Sequence, residues 1–232
     1  MSSLNQLVSE LIHATGIPNN VPMRRNVRYA ILHTRNELIR QSYSNHNYLD
    51  KGLEQRFRAT LINVPDGDVY GSGELGLPAI KRTKQKVPKP VRLINNLPFQ
   101  SVRTVGYKNV SIAFVREHAA RYYSALPGFC NNIVYDYING YLYFFGDKDY
   151  FKTLGAVVIE SAFEVPYIVP EETIEAQKDV EYDPVDDEVK FDDDEFLLPE
   201  DMAEQIKALI YQRDILQIVR QDNQIPKENL IR

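Results

Sequence analysis

The charge of this chain is divided between two regions of opposite sign. Residues 171–201 hold fifteen of the thirty-two acidic residues and only Lys178 and Lys190 as cations, a segment of about −13. The first 130 residues carry eighteen Lys/Arg against eight Asp/Glu, about +10. A block of like charge cannot bury itself, so it stays solvated or lies against something basic. Apolar, Tyr-rich, strand-like sequence precedes the block and a strong helical pattern follows it. The acidic stretch is therefore expected to be an internal extended arm that delivers a C-terminal helix away from the body or back onto it.

With 232 residues and 44% apolar side chains, the chain can bury a core as one large domain or two small ones. Tyrosine occurs fifteen times and tryptophan is absent. Tyrosine suits surfaces that pack on other chains, and it also suits the strands of a β domain. The single cysteine, Cys130, excludes an internal disulfide and a Cys-based metal cage. No signal peptide and no stretch of roughly 20 apolar residues is visible, which predicts a soluble protein made in the cytoplasm.

Leu4, Leu7, Val8, Leu11 and Ile12 share one helical face over residues 3–15. A longer helix is expected from Val21-Pro22 to about Ser42, with Val27, Ile31, Thr34 and Leu38 as its apolar stripe. Arg24, Arg28 and Arg35 fall within about a 40° arc beside that stripe. This row is either a solvated helix edge or a basic ridge facing an acidic partner. Strands are expected at 59–64, 91–95, 100–105 and 156–163. The strongest local signal is Asn139-Gly140 between Ile133–Ile138 and Tyr141–Phe145, the two-residue turn of a type I′ hairpin. Ser111 is expected to cap a short helix from Ile112 to about Ser124. Pro199-Glu200-Asp201 opens a last helix, with Met202, Ile206, Leu209, Ile210, Leu216 and Val219 at helical spacing. The predicted fold is α+β: a helical bundle from the terminal helices plus an antiparallel β domain. Its parts are 1–58 (helical), 59–170 (β, with the short helix), 171–198 (acidic arm) and 199–232 (C-terminal helix and tail).

No constellation here asks for catalysis. Gly71-Ser72-Gly73-Glu74-Leu75-Gly76 matches the spacing of a dinucleotide loop, but Pro78 follows and no strand–loop–helix unit surrounds it. The aspartates at 183–194 lack the spacing and the glycine of a calcium loop. His13, His33, His46 and His118 form no ligand pair. Lys81, Arg82, Lys84 and Lys86 make a compact basic run that would suit phosphates or an acidic protein surface. No cofactor or metal is expected.

Four stretches carry a resemblance that spans nearly the whole chain. They are Met23-Arg24-Arg25-Asn26-Val27-Arg28-Tyr29 in the long helix and the run from Lys84 to Val91. The third leads from Ala125-Leu126-Pro127-Gly128 through the hairpin to Val165-Pro166. The fourth is Phe196-Leu197-Leu198-Pro199-Glu200-Asp201-Met202. In this order they resemble a virion structural protein of the crAss-like phages, similar to the tail adaptors of short-tailed phages. The resemblance implies a non-enzymatic ring subunit of the virion neck or tail, made in the host cytoplasm. It also implies twelve copies around a DNA channel. Implied partners are other copies of itself, the portal, neighbouring ring proteins and packaged DNA, with no membrane. Arg24, Arg28, Arg35, Lys81, Arg82, Lys84 and Lys86 are then the candidate partner-binding residues. The acidic arm is longer than that family implies. The rival readings are a stand-alone protein-binding module and a nucleotide-dependent enzyme using Gly71–Gly76.

Overall fold

A computed structural model of the chain describes residues 3–13, 21–65, 68, 81–105, 110–116, 119, 133–146, 153–166 and 196–215. It divides into two compact units: Met1–Leu53 together with Val189–Arg232, and Glu54–Glu188.

The first unit is helical. Helix α1, Leu4–His13, buries Leu4, Leu7, Val8, Leu11 and Ile12, the predicted face. Ser3 caps it, its Oγ accepting from the Gln6 amide at 3.2 Å. Helix α2, Val21–His46, runs a turn further than predicted. It ends where Asn47 takes a left-handed conformation (φ 58°) and donates its amide to the Tyr43 carbonyl. Its buried stripe is Met23, Val27, Ile31, Thr34, Arg35, Asn36 and Ile39. Helix α3, Glu200–Ile210, follows Pro199 in the capping position and closes with a π-helical turn, Tyr211–Ile215. Ile206 and Ile210 are buried, whereas Leu209 is exposed. Helix α2 packs against both α1 and α3. The Lys207 ammonium lies 2.7 Å from the Glu10 carboxylate and ties α3 to α1. The terminal helices therefore form a bundle, as their apolar faces require.

Among the described residues, the second unit is a mixed sheet of seven strands: β1 Gln55–Asn63, β2 Lys81–Thr83, β3 Ser101–Thr104, β4 Ala113–Phe114, β5 Val134–Ile138, β6 Tyr141–Phe145 and β7 Ala156–Ser161. Their order is β3-β7-β1-β2-β6-β5-β4. Strand β1 joins the two halves, pairing with β7 through residues 55–60 and with β2 through residues 61–63. The β5–β6 hairpin turns on Asn139 (φ 55°) and Gly140 (φ 88°), the type I′ geometry that the Asn-Gly pair predicts.

Several expectations are corrected in this unit. The sheet is not purely antiparallel, because β4 runs parallel to β5. The helix expected from Ser111 also starts too early. Residues 113–114 are strand, and helical structure among the described residues comes only at Ala119. Tertiary pairing overrides the cap signal here. Ser111 bridges Arg103 of β3, and the Ile112 amide donates to the Val102 carbonyl at 2.8 Å. Residues 110–114 thus touch β3 on one side and β5 on the other, and the sheet closes on itself as a near-barrel.

Strand β1 starts four residues before the expected Ala59, and no strand forms at 91–95. That segment runs into a turn at Asn96 (φ 56°). The core within the barrel gathers Phe57, Ala59, Leu61, Phe99, Val102, Ile112, Tyr135, Leu142, Phe144, Val157, Ile159 and Phe163. A second apolar cluster, Val115, Val134, Tyr143 and Phe145, covers the other face of the hairpin. Both faces of β5 and β6 are therefore packed, which explains the continuous apolar sequence of β6 and that of β5, broken only by the buried Asp136.

The acidic arm, the Gly71–Gly76 loop, Cys130, His118 and the helical residues expected beyond Ile215 lie outside the described residues.

Candidate interaction surfaces

Arg35, one of the three arginines expected on an exposed ridge, is at 0% exposure. Its Nη1 donates to Asn36 Oδ1 at 3.2 Å, its Nε to the Leu197 carbonyl at 3.4 Å, and its guanidinium lies 5.9 Å from the centre of the Phe196 ring. Burial lowers its pKa to about 10, which leaves it charged at neutral pH. Arg35 therefore holds the segment that leads into α3 and is no part of an exposed ridge. Arg24 and Arg28 are half-buried beside the stripe, and Arg24 donates to Ser9 Oγ of α1 at 3.2 Å. What α2 does present to solvent is a row spaced four residues apart: Val21, Arg25, Tyr29 and His33. The Tyr29 and His33 rings stack at 6.1 Å with 8° between their planes. His33 also approaches Glu37 at 3.3 Å.

The basic run 81–86 divides in the same way. Lys81 is buried in β2, and its ammonium donates to the Leu154 carbonyl. Burial lowers its pKa. Arg82 pairs with Asp68 at 2.7 Å and sits 4.7 Å over the Tyr141 ring. The Tyr143 hydroxyl donates to the same carboxylate, and burial raises its pKa. Lys81 and Arg82 are thus structural, while Lys84 and Lys86 are exposed. The cleft beside them, lined by Phe57, Thr60, Gln85 and Val87, has room for about one water molecule.

A third cationic surface was not foreseen from the sequence. Arg56 and Arg58 point outward from β1, on the face opposite Phe57 and Ala59. Arg103 of β3 lies on the same outer face, and Glu160 of β7 sits between, 3.6 Å from both Arg56 and Arg103. The signal was the alternation Gln55-Arg56-Phe57-Arg58-Ala59, hidden when the strand is started at Ala59.

Among the described residues, no group of His, Cys, Asp or Glu gathers to hold a metal ion. Among those residues, too, no helix is long and apolar enough to cross a membrane. The surfaces on offer are cationic and aromatic.

A family model described as phage tail ring protein 2, of the crAss phage ring proteins, matches residues 6–229. The chain belongs to this family. No curated protein matches the sequence. The match runs through both units of the ring protein and through the acidic stretch between them. Membership gives it a structural role in the tail of a phage and a place in the virion.

Proposed function

We propose that this ring protein is one subunit of a closed ring that joins the portal to the tail around the DNA channel. Twelve copies make the ring, and the portal, the adjacent neck or tail rings and the passing DNA are its partners. The observation that carries this reading is the family match over residues 6–229, which takes in the helical unit and the barrel together. The exposed residues support it. An aromatic and basic row on α2 and the lysines at 84 and 86 suit contacts with other proteins and with phosphates. The role is a scaffold's and needs neither substrate nor cofactor. The test is co-assembly of the purified chain with the portal, read by native mass and electron microscopy. A closed twelve-fold ring on the portal is expected. A chain that stays monomeric and binds no portal or tail component overturns the reading.

A further inference from the structure

Asn139-Gly140 is the only Asn-Gly pair among the sixteen asparagines of the chain. Such a pair carries a chemistry of its own. The backbone nitrogen after an asparagine can attack the side-chain carboxamide at Cγ, and a glycine there leaves the approach uncrowded. A new C–N bond closes a succinimide ring. The bond from Cγ to the carboxamide nitrogen breaks, and ammonia leaves with the proton of the attacking amide. Water then adds to one of the two ring carbonyls and opens the ring. One opening yields aspartate. The other yields isoaspartate, in which the backbone runs through the side-chain carbon. Water enters, ammonia departs, and nothing is oxidised or reduced.

Asn139 is exposed, so water and base reach its side chain. What opposes the reaction is the backbone. Ring closure needs the Gly140 nitrogen to swing toward Cγ, and the left-handed conformation of Asn139 (φ 55°) in a type I′ turn points it elsewhere. The turn is gripped from two sides. Its own strands close it through the Ile138–Tyr141 and Tyr137–Leu142 pairs. Across it, the Val87 amide donates to the Gly140 carbonyl at 2.7 Å, and the stem of Lys86 lies close over Gly140. We infer that Asn139 is a latent deamidation site that the folded hairpin holds shut. It reacts only while the turn is open, and the isoaspartate product then keeps the turn from closing. Isoaspartate adds one carbon to the backbone of a two-residue turn, so Ile138 and Tyr141 lose their present register. Strand β6 also pairs with β2 and sends Leu142 and Phe144 into the core, so the lesion reaches the whole barrel. Aspartate leaves an Asp-Gly pair, which suits the same turn. The inference rests on the hairpin, not on ring assembly.

The test uses the full-length protein, incubated in mildly alkaline buffer with and without enough urea to unfold it. Peptide mass spectrometry follows residue 139, and chromatography separates its aspartate and isoaspartate forms. The unfolded chain is expected to react at Asn139 at least about ten-fold faster than the folded one, because the folded rate is scaled down by the fraction of time the hairpin is open. Asn139→Gly should abolish the signal and so confirm its source. Chains that have reacted in urea are then returned to buffer. The aspartate form should refold with the parent urea midpoint, and the isoaspartate form should not. A folded rate within about ten-fold of the unfolded one overturns the inference, since the turn then offers no protection. An unfolded chain that does not react at Asn139 overturns it as well. So does an isoaspartate form with the parent midpoint, which would show that the hairpin accommodates the product.

Discussion

The guanidinium of Arg35, in the middle of α2, stands 5.9 Å from the ring of Phe196 and donates to the carbonyl of Leu197. One buried cation thus fixes the point at which the chain rejoins the helical bundle. Arg35→Ala removes the charge, opens a cavity and deprives two acceptors of a donor. It is expected to cost about 2–4 kcal/mol in chemical denaturation. Arg35→Met keeps most of the volume and should cost about half as much, because a packed apolar side chain replaces a buried charge at little loss. A melting curve for Arg35→Ala that overlays the native one would show that Phe196 and Leu197 are held by something else.

The basic run at 81–86 should split by mutation. Lys81→Glu places a carboxylate against the Leu154 carbonyl in a buried site and is expected to destabilise the barrel by about 3 kcal/mol or more. Reversing exposed Lys84 and Lys86 together should move stability by no more than about 0.5 kcal/mol. Any effect of that double reversal on binding the portal or DNA then reports a contact. Equal thermal shifts from the two sets would refute the division.

Gly140 has a φ of 88°, and a side chain there would meet the stem of Lys86 at 3.4 Å. Gly140→Val is expected to cost about 1–3 kcal/mol, since a β-branched residue resists that backbone region. Asn139→Gly keeps the turn and should lie within about 1 kcal/mol of the parent. Urea midpoints of the two variants test the pair.

The link between α1 and α3 should depend on pH at both extremes. The hydrogen bond from Lys207 is the main cause lowering the Glu10 pKa, so this contribution is present above the ordinary Glu range and is lost as acid protonates the folded carboxylate. The hydrogen bond to Glu10 raises the Lys207 pKa, so that contribution is complete below the ordinary Lys range and is lost in strong alkali. Both groups are partly solvated, which limits the pair to about 0.2–1 kcal/mol at neutral pH. A double-mutant cycle with Glu10→Gln and Lys207→Met should show that coupling at pH 7 and none at pH 2.

The parts of the fold written in local sequence were legible. Asn139-Gly140 dictated its turn through backbone conformation alone, and the helical spacing of Leu4–Ile12 named its buried face; in α3 the spacing found Ile206 and Ile210 but also picked Leu209, which is exposed. What failed depended on distant partners. Ile112-Ala113-Phe114-Val115 suits a helix as well as a strand, and pairing with β3 and β5 decided the matter. Arg35 sat on the correct arc of the helical wheel. Whether that arc meets water or Phe196 is settled by residues far along the chain. Arg56 and Arg58 were missed for a third reason: their strand begins among polar residues, where alternation is visible only once Phe57 is recognised as inward.

The bridge between Ser111 and Arg103 has one more consequence. An open sheet ends in rows of unpaired amides and carbonyls, and any passing strand can zip onto them. By joining β3 to the segment that enters β4, Ser111 removes that adhesive from the described barrel. The ring proposed above would gain from this. In such a ring the copies would meet through side chains, whose geometry can specify a finite number of partners, and not through a backbone pattern that would let the array grow without end.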